Sequence, residues 1–591
     1  MRLSWLGHPL FHSHQHGWTY RVPKAKLDTV GTTSQALVFH DDSDAKLQDM
    51  AESGRFVFYK LPHKDGEHAN VGSPMGKSFL KYSQDGTLTG PGDEVKSALD
   101  MNARCSYWIS ARDRVRNQVV LWDGQAGTSM GMPALPSSQD PSAPPCKYGM
   151  ILPQVITMGT VTRRAIEKTW LTASNAKVNR VGSELKTLVR APEGYALVGA
   201  DVDSEELWIA SVMGDAQFGI HGATAIGWMT LEGTKAAGTD LHSKTASILG
   251  ISRNDAKVFN YSRIYGAGIN HAVLLLLQKN ASMKQDAAKK LAKGLYASTK
   301  GKSVPANAFG KKFWHGGSES YLFNKLEDIA LSNDPRTPAL DCGITSALLK
   351  KYLPTTTGTG EDYMTSRINW VVQSSGVDYL HMLIVAVDYL IQTYNIHARY
   401  LISIHDEVRY LAKEEDKYRL ALALQVANLW TRCMFAYKLG FDNLPQGVAF
   451  FSAVDVDKYL RKEVDMACVT PSQPNPLPPG ESLTIEQILE KTSGGLLSAD
   501  NETSNSSVKP ELKAPSKPYQ PPNVLEHRQN SPEFLRAQMT TDKEKLKKLM
   551  LVERAKERER AAELEYGTRR SELPGRGARL VWRSSYGARP A

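Results

Sequence analysis

Apolar and polar positions along this chain switch between two periods, and each switch marks an element. The run Tyr195-Ala-Leu-Val-Gly-Ala200 predicts a buried strand that delivers Asp201 at its end. A helix follows, with Leu207, Ala210, Ser211 and Gly214 on one side. A second helix is predicted from Ser252 to Tyr265, where Ser252 and Asp255 form an S-x-x-D capping box and Arg253 falls in the first turn. Longer helices are predicted from Arg367 to about Asn395 and over 414–440. Between them Tyr400-Leu-Ile-Ser-Ile-His405-Asp406-Glu407-Val-Arg-Tyr410 reads as a hairpin with acids at its bend, and Phe450 to Asp457 as a closing strand.

The remaining segments are less regular. Residues 1–54 mix strand-like pieces such as Trp18-Thr-Tyr-Arg-Val22 with His, Gly and Pro, and 96–122 is helical in pattern. Residues 123–148 are Gly/Ser/Pro-rich and read as a loop or insertion. Two strands are predicted at Ile151–Ile156 and Thr160–Ala165; in the second, Arg163 and Arg164 would point to opposite faces, so at most one could meet a given partner. Residues 270–360 are largely helical, with Lys- and Gly-rich breaks. From about 470 to 540 Pro, Ser, Asn and Lys predict disorder, and 541–565 reads as a charged helix with too few apolar positions for a coiled coil. There is no internal repeat.

Composition adds modest constraints. A chain of 591 residues has room for several domains, and its 41% apolar share points to a solvated part. The net charge of +10 fits a polyanionic partner. Cys105, Cys146, Cys342, Cys433 and Cys468 lie far apart, without zinc-ligand spacing, which suits a reducing compartment. No membrane span is expected, since no run of 18 apolar residues occurs. The acid-free first 27 residues are too rich in His and aromatics to read as a targeting segment.

The candidate chemistry lies where carboxylates meet strand ends. Asp201 leaving a buried strand needs a cation nearby, whether a metal, Arg or Lys, because unpaired desolvation costs several kcal/mol. Asp406 and Glu407, adjacent at a bend between apolar strands, need the same. Arg253, Lys257, Tyr261 and Tyr265 recur every fourth residue on one stripe whose amino-terminal end favours anions. His242 is either a further phosphate donor or a capping or core histidine. Asn369 and Gln373 share a helix face suited to base edges or phosphates, or merely cap the helix entry. Lys64, in a turn-rich loop, is a candidate phosphate contact or simply solvated.

Taken together, these segments resemble the family A DNA polymerases. Val198-Gly-Ala-Asp-Val-Asp-Ser-Glu-Glu-Leu-Trp208 resembles the family's motif A, Arg253-x3-Lys257-x3-Tyr261-x3-Tyr265-Gly motif B, and His405-Asp-Glu407 motif C. Lys60-Leu-Pro-His-Lys-Asp-Gly66, Trp170-Leu-Thr-Ala-Ser-Asn175 and Phe450-Phe-Ser-Ala-Val-Asp455 look specific to its mitochondrial branch, so a mitochondrial address is implied. The resemblance covers roughly residues 3–470 and implies an α+β right-hand polymerase fold with an antiparallel-sheet palm, helical fingers and a partial thumb. The implied domains are a spacer remnant at 1–95, partial thumb at 96–126, palm at 127–221 and 367–470, fingers at 222–366, and a disordered, charged tail at 471–591.

The same resemblance implies roles. Asp201, Asp406 and Glu407 would be catalytic, with two Mg²⁺ ions held by Asp201, Asp406 and the Val202 carbonyl. Val202, Ser204, Glu206, His242, Arg253, Lys257, Tyr261 and Tyr265 would bind the dNTP, with Glu206 excluding a 2′-hydroxyl. Lys64, Arg164, Ser174, Arg180, Thr365, Ser366, Asn369 and Gln373 would contact DNA. Partners would be primer-template DNA, dNTPs, an accessory processivity subunit and a replicative helicase. The arginine many relatives place eight residues before the glutamine falls here on Thr365, with Arg367 displaced by two. The family's exonuclease region and half of its thumb have no counterpart in this sequence, so no proofreading and weak grip on the duplex are expected. Two rivals stay open: a single-subunit RNA polymerase, and a non-catalytic fragment that only binds nucleic acid.

Overall fold

The computed structural model describes residues 2–29, 35–63, 65, 68–79, 82–83, 85–127, 129–131, 148–171, 183–279, 283, 285–304, 309, 312–352, 363–469, 474–498 and 531–571. An amino-terminal sheet joins β1 (Ser4–Trp5), β2 (His8–Ser13), β3 (Gly17–Pro23), β4 (Phe56–Lys60) and β5 (Leu88–Thr89) in the order β4-β3-β2-β1-β5. Trp5, Tyr20, Phe79 and Tyr82 fill its core, so the broken pattern at the amino terminus encodes a packed unit. Helix α1 (Asp93–Arg116) follows. It stops six residues short of the predicted end, because β-branched Val119 and Val120 enter an antiparallel ribbon, β6 (Val119–Trp122) with β7 (Gly149–Leu152).

The second sheet carries the chemistry. Its strands are β8 (Tyr195–Asp201), β11 (Ala398–Ile404), β12 (Glu407–Lys413), β13 (Val454–Asp457) and β14 (Glu481–Leu483), in the order β11-β12-β8-β13-β14 with every pairing antiparallel. Val198, Ala200, Val408 and Tyr410 point to one face, buried under α2 (Glu205–Asp215), α6 (Met364–Thr393) and α7 (Lys417–Leu439). By strand alternation Gly199, Asp201, Glu407 and Arg409 share the other face. Helix α2 is buried on all sides, so its apolar positions form no single stripe. Helix α6 is long and apolar enough to cross a membrane by composition, yet 61% of its most apolar window is buried, as in a core helix.

Between these strands the chain forms α3 (Leu241–Leu249), α4 (Arg253–Ile264), a hairpin of β9 (Lys302–Val304) with β10 (Phe313–His315), and α5 (Ser320–Leu331). The architecture is the α+β class expected. Further readings need correction: the strand expected at Ile151–Ile156 ends at Leu152. The predicted strand Thr160–Ala165 is a turn, with Arg163 at φ +69°, and both arginines point inward: Arg163 pairs with Asp378 at 2.7 Å and Arg164 with Glu206. Alternation applies only to extended backbone, so it failed here.

The carboxy-terminal stretch is also more ordered than its composition suggests. Strand β14 and α8 (Ile485–Lys491) complete the second sheet, with Leu483 and Ile488 in its core. Helices α9 (Pro532–Met539) and α10 (Lys543–Ser571) pack against β10 and α5, where Phe534, Ala537 and Leu546 join Phe313 in one apolar cluster. Fully buried Gln538 receives a bond from Asn324 at 2.8 Å and accepts from Gly316 N at 2.8 Å. A few well-spaced apolar residues decide docking, and a window dominated by Pro and Lys hides them. Phe534→Ala is expected to cost about 3 kcal/mol of local stability. Hydrogen exchange should then quicken across α5 and α9 while α6 stays protected; unchanged exchange in α5 would refute the docking.

Candidate functional site

Two acids distant in sequence meet at the end of the second sheet. Strands β11 and β12 pair Ile404 with Glu407, leaving His405 and Asp406 as a two-residue turn. His405 has φ +61°, at a position where such turns favour glycine, so the backbone there is strained. Register sets Glu407 opposite Asp201, and Val202 N–H donates to the Asp406 carbonyl at 3.0 Å. Partial burial, then Asp406 and Glu407, raise the Asp201 carboxyl to about 7. Asp201 lies exposed at the sheet end, so like-charge crowding is the firmer cause. Burial, then Glu206, likewise raise Asp406. Among the described residues neither acid has an ion-pair partner within 4.0 Å, whereas Glu407 is paired with Arg409 at 2.6 Å.

That pairing separates Glu407 from the other two acids. Arg409 also reaches Asp455 at 3.1 Å across Gly199. A Cβ on Gly199 would lie 2.2 Å from the Val408 carbonyl and 2.5 Å from Arg409 Cδ, so glycine is what lets the guanidinium pass. Buried Lys186 lies near Glu407 as well, and burial lowers its pKa. Glu407 is thus paired with a protein cation, whereas Asp201 and Asp406 have no ion-pair partner within 4.0 Å among the described residues.

Helix α4 closes the other side. Ser252 caps it by accepting from Asp255 N, but the Asp255 carboxylate takes the Ser252 hydroxyl at 2.7 Å, so the reciprocal half of the expected box is absent. Tyr265 Oη donates to Glu206 Oε1 at 3.2 Å, and Arg164 pairs with the same carboxylate. Tyr261 bonds Ser204, which holds a left-handed φ of +47° at the start of α2. The exposed Lys257 has its Nζ 5.9 Å from the Tyr261 ring centre, and its charge is felt at Asp406. Arg253 is held by Asp240 at 2.8 Å. His242 is buried; desolvation, then Arg253, push its pKa down to about 4.

The remaining predicted residues divide. Asn369 and Gln373 are half-buried one turn apart on α6, and Asn369 Oδ1 has no hydrogen-bond partner among the described residues. Exposed Thr365 donates to the Gly266 carbonyl at 3.3 Å, and Ser366 is exposed beside it. Lys64, Ser174 and Arg180 lie outside the described residues. Arg367 is buried rather than exposed, with Nε and Nη1 lacking partners among the described residues. Several residues escaped sequence reasoning: Asp240, Glu205, Asn260, and Asp203, which accepts from Ser452 N at 2.8 Å. Asn260 was findable, since it interrupts the buried stripe Ala256, Phe259 and Ile264 of α4. At the far end of the hairpin His397, Glu415 and Asp416 cluster, but Asp416 is already paired with Arg419 and with His397 at 2.9 Å.

Comparison with known proteins finds relatives over most of the chain. The model for DNA polymerase family A matches residues 149–441. DNA polymerase subunit gamma-1 of Gallus gallus is 50% identical over 497 residues, covering 74% of this chain and 75% of that protein. DNA polymerase gamma, mitochondrial, of Neurospora crassa is 51% identical over 561 residues, covering 93% of this chain and 38% of that protein. DNA polymerase gamma of Schizosaccharomyces pombe is 54% identical over 500 residues, covering 83% and 47%. The chain therefore spans less than half the length of these two fungal relatives.

The crowded acids yield a pH prediction. In metal-free protein Asp201 stays protonated up to about 7, whereas an unfolded chain loses that proton near pH ~4. The native state binds the extra proton in that window, so stability falls as pH rises through it. Thermal midpoints measured in chelator from pH 5 to pH 8 should decline more steeply for wild type than for Asp201→Asn. Parallel curves would show that Asp201 titrates normally.

Proposed function

The chain belongs to the DNA polymerase gamma family, within DNA polymerase family A, and from that premise we propose that it is a template-directed DNA polymerase that adds deoxynucleotides to a primer 3′-hydroxyl. One juxtaposition supports this most: Asp201 and Asp406 lie side by side with no ion-pair partner within 4.0 Å among the described residues, opposite a helix bearing Arg253, Lys257, Tyr261 and Tyr265. Hard carboxylate oxygens with unneutralised charge suit Mg²⁺, and Asp201, Asp406 and the Val202 carbonyl are the residues that would hold two such ions. When bound, the ions supply charge neutralisation on the reacting and leaving oxygens of phosphoryl transfer.

The protein's own residues then perform the positioning. Lys257 and Arg253, at the amino-terminal end of α4, bind triphosphate oxygens, and His242 donates a further hydrogen bond. Tyr265 and Tyr261 line the base and sugar. Glu206, fixed by Tyr265 and Arg164, fills the space a 2′-hydroxyl would need, which disfavours ribonucleotides. Arg164, Asn369 and Gln373 take the minor groove near the primer end, with Thr365 and Ser366 near the template. We assign the sheet 195–201 and 398–457 to a palm, α3 to α5 to fingers and α1 to a thumb. By its relatives' names, the setting is mitochondrial DNA synthesis.

Primer extension with Mg²⁺ tests the reading. Asp201→Ala and Asp406→Ala should each lower the rate about a thousandfold, and a wild type no faster than these variants would point to a binding fragment. Glu206→Ala should narrow the preference for dNTPs over rNTPs by about a hundredfold. A wild type that prefers rNTPs would instead establish an RNA polymerase.

A further inference from the structure

The proton on His242 is fixed by a chain of buried bonds that begins on a residue outside the site. Arg263 is 2% exposed and lies against Glu319, with Nη1 2.7 Å from Oε2 and Nη2 3.0 Å from Oε1. Its Nη2 also faces Asn260 Oδ1 at 3.4 Å. A guanidinium has donors only, so the side of the Asn260 amide that faces it must be the oxygen. The amide nitrogen is then turned toward His242 Nδ1, 3.1 Å away, while Thr245 Oγ1 lies within reach of both amide atoms, 3.0 Å from the nitrogen and 3.2 Å from the oxygen. Nδ1 must accept that bond, which leaves the proton of a neutral ring on Nε2. His242 is 3% exposed, and its Nε2 has no partner among the described residues. A buried N–H without an acceptor is costly unless a ligand supplies one.

We propose that Asn260 is a positioning residue: it fixes the His242 proton on Nε2, so that the imidazole meets an incoming triphosphate as a neutral N–H donor. The inference rests on the reading of this site as a nucleoside triphosphate site. The charged groups facing the ring are Arg253 and Lys257 from α4 and Asp240 from the cap of α3, with the Tyr261 ring centre 5.8 Å away. Two cations against one carboxylate, added to burial, keep the ring neutral at physiological pH. A neutral donor grips a phosphate oxygen without a pH-dependent charge.

Asn260→Asp is the informative variant, since it keeps the volume and the contact with Arg263 but offers Nδ1 only acceptors. The ring must then donate from Nδ1 and lose its Nε2 proton, or hold both protons as imidazolium. In histidine-labelled protein, ¹H–¹⁵N spectra assigned with His242→Gln should show the wild-type proton on Nε2, and proton occupancy of Nδ1 in Asn260→Asp. In primer extension the dNTP KM of Asn260→Asp should rise about tenfold from pH 6 to pH 8, with kcat changed less, while wild-type KM stays within about twofold. A wild-type proton on Nδ1, or a KM in Asn260→Asp as flat as wild type, would overturn the proposal. A wild type with the Nε2 proton but no primer extension would count against the polymerase reading alone, because the spectra need no nucleotide.

Discussion

The antiparallel register of β8 against β12 is the constraint on which the rest depends. It sets Glu407 opposite Asp201, and the ladder runs one bond further, from Val202 N–H to the Asp406 carbonyl. A slip of one residue would turn every side chain of β12 to the opposite face, burying the acids under the helices. The slip is prevented from both sides. Val408 and Tyr410 are committed to the core, and Arg409 is committed to Glu407 and Asp455 across Gly199. The strained His405 turn persists because these flanking contacts over-determine it.

Around that register the fold distributes charge unevenly. Most buried acids near the site have a cation: Asp378 has Arg163, Glu206 has Arg164, and Glu319 has Arg263. Among the described residues the less buried Asp201 and Asp406 have no ion-pair partner within 4.0 Å, so their crowding is relieved only by protonation or by a cation from outside. Helix α4 works the opposite way, presenting cations and phenols on a stripe whose buried edge is tied down by Asn260 and Arg263. A single helix thus turns one face toward the acids and uses the other for placement.

Much of this was legible in the sequence, because the informative residues lie in elements with a firm period. The strand ending at Asp201, the acid-bearing hairpin and the four-residue spacing of α4 all depend on local pattern, and the backbone follows it. Partner choice was not legible. Nothing near Arg253 in sequence marks Asp240 as its counter-ion across a helix cap, and nothing near Glu407 separates it from Asp406 except an arginine two residues on. The turn at Arg163 and Arg164 was misread because β-like composition carries no information about a left-handed φ. The docked carboxy-terminal helices were misread because their contacts run to β10 and α5, more than two hundred residues earlier.

Those late helices have a consequence for how the protein is made. Gln538 bonds Gln217, just beyond the helix that bears Glu206, so a segment near the chain's end closes a surface laid down more than three hundred residues before it. During synthesis on the ribosome, Phe313 and its neighbours emerge long before Phe534 can cover them. For that interval the nascent chain carries an open apolar face that only its own last helices can close.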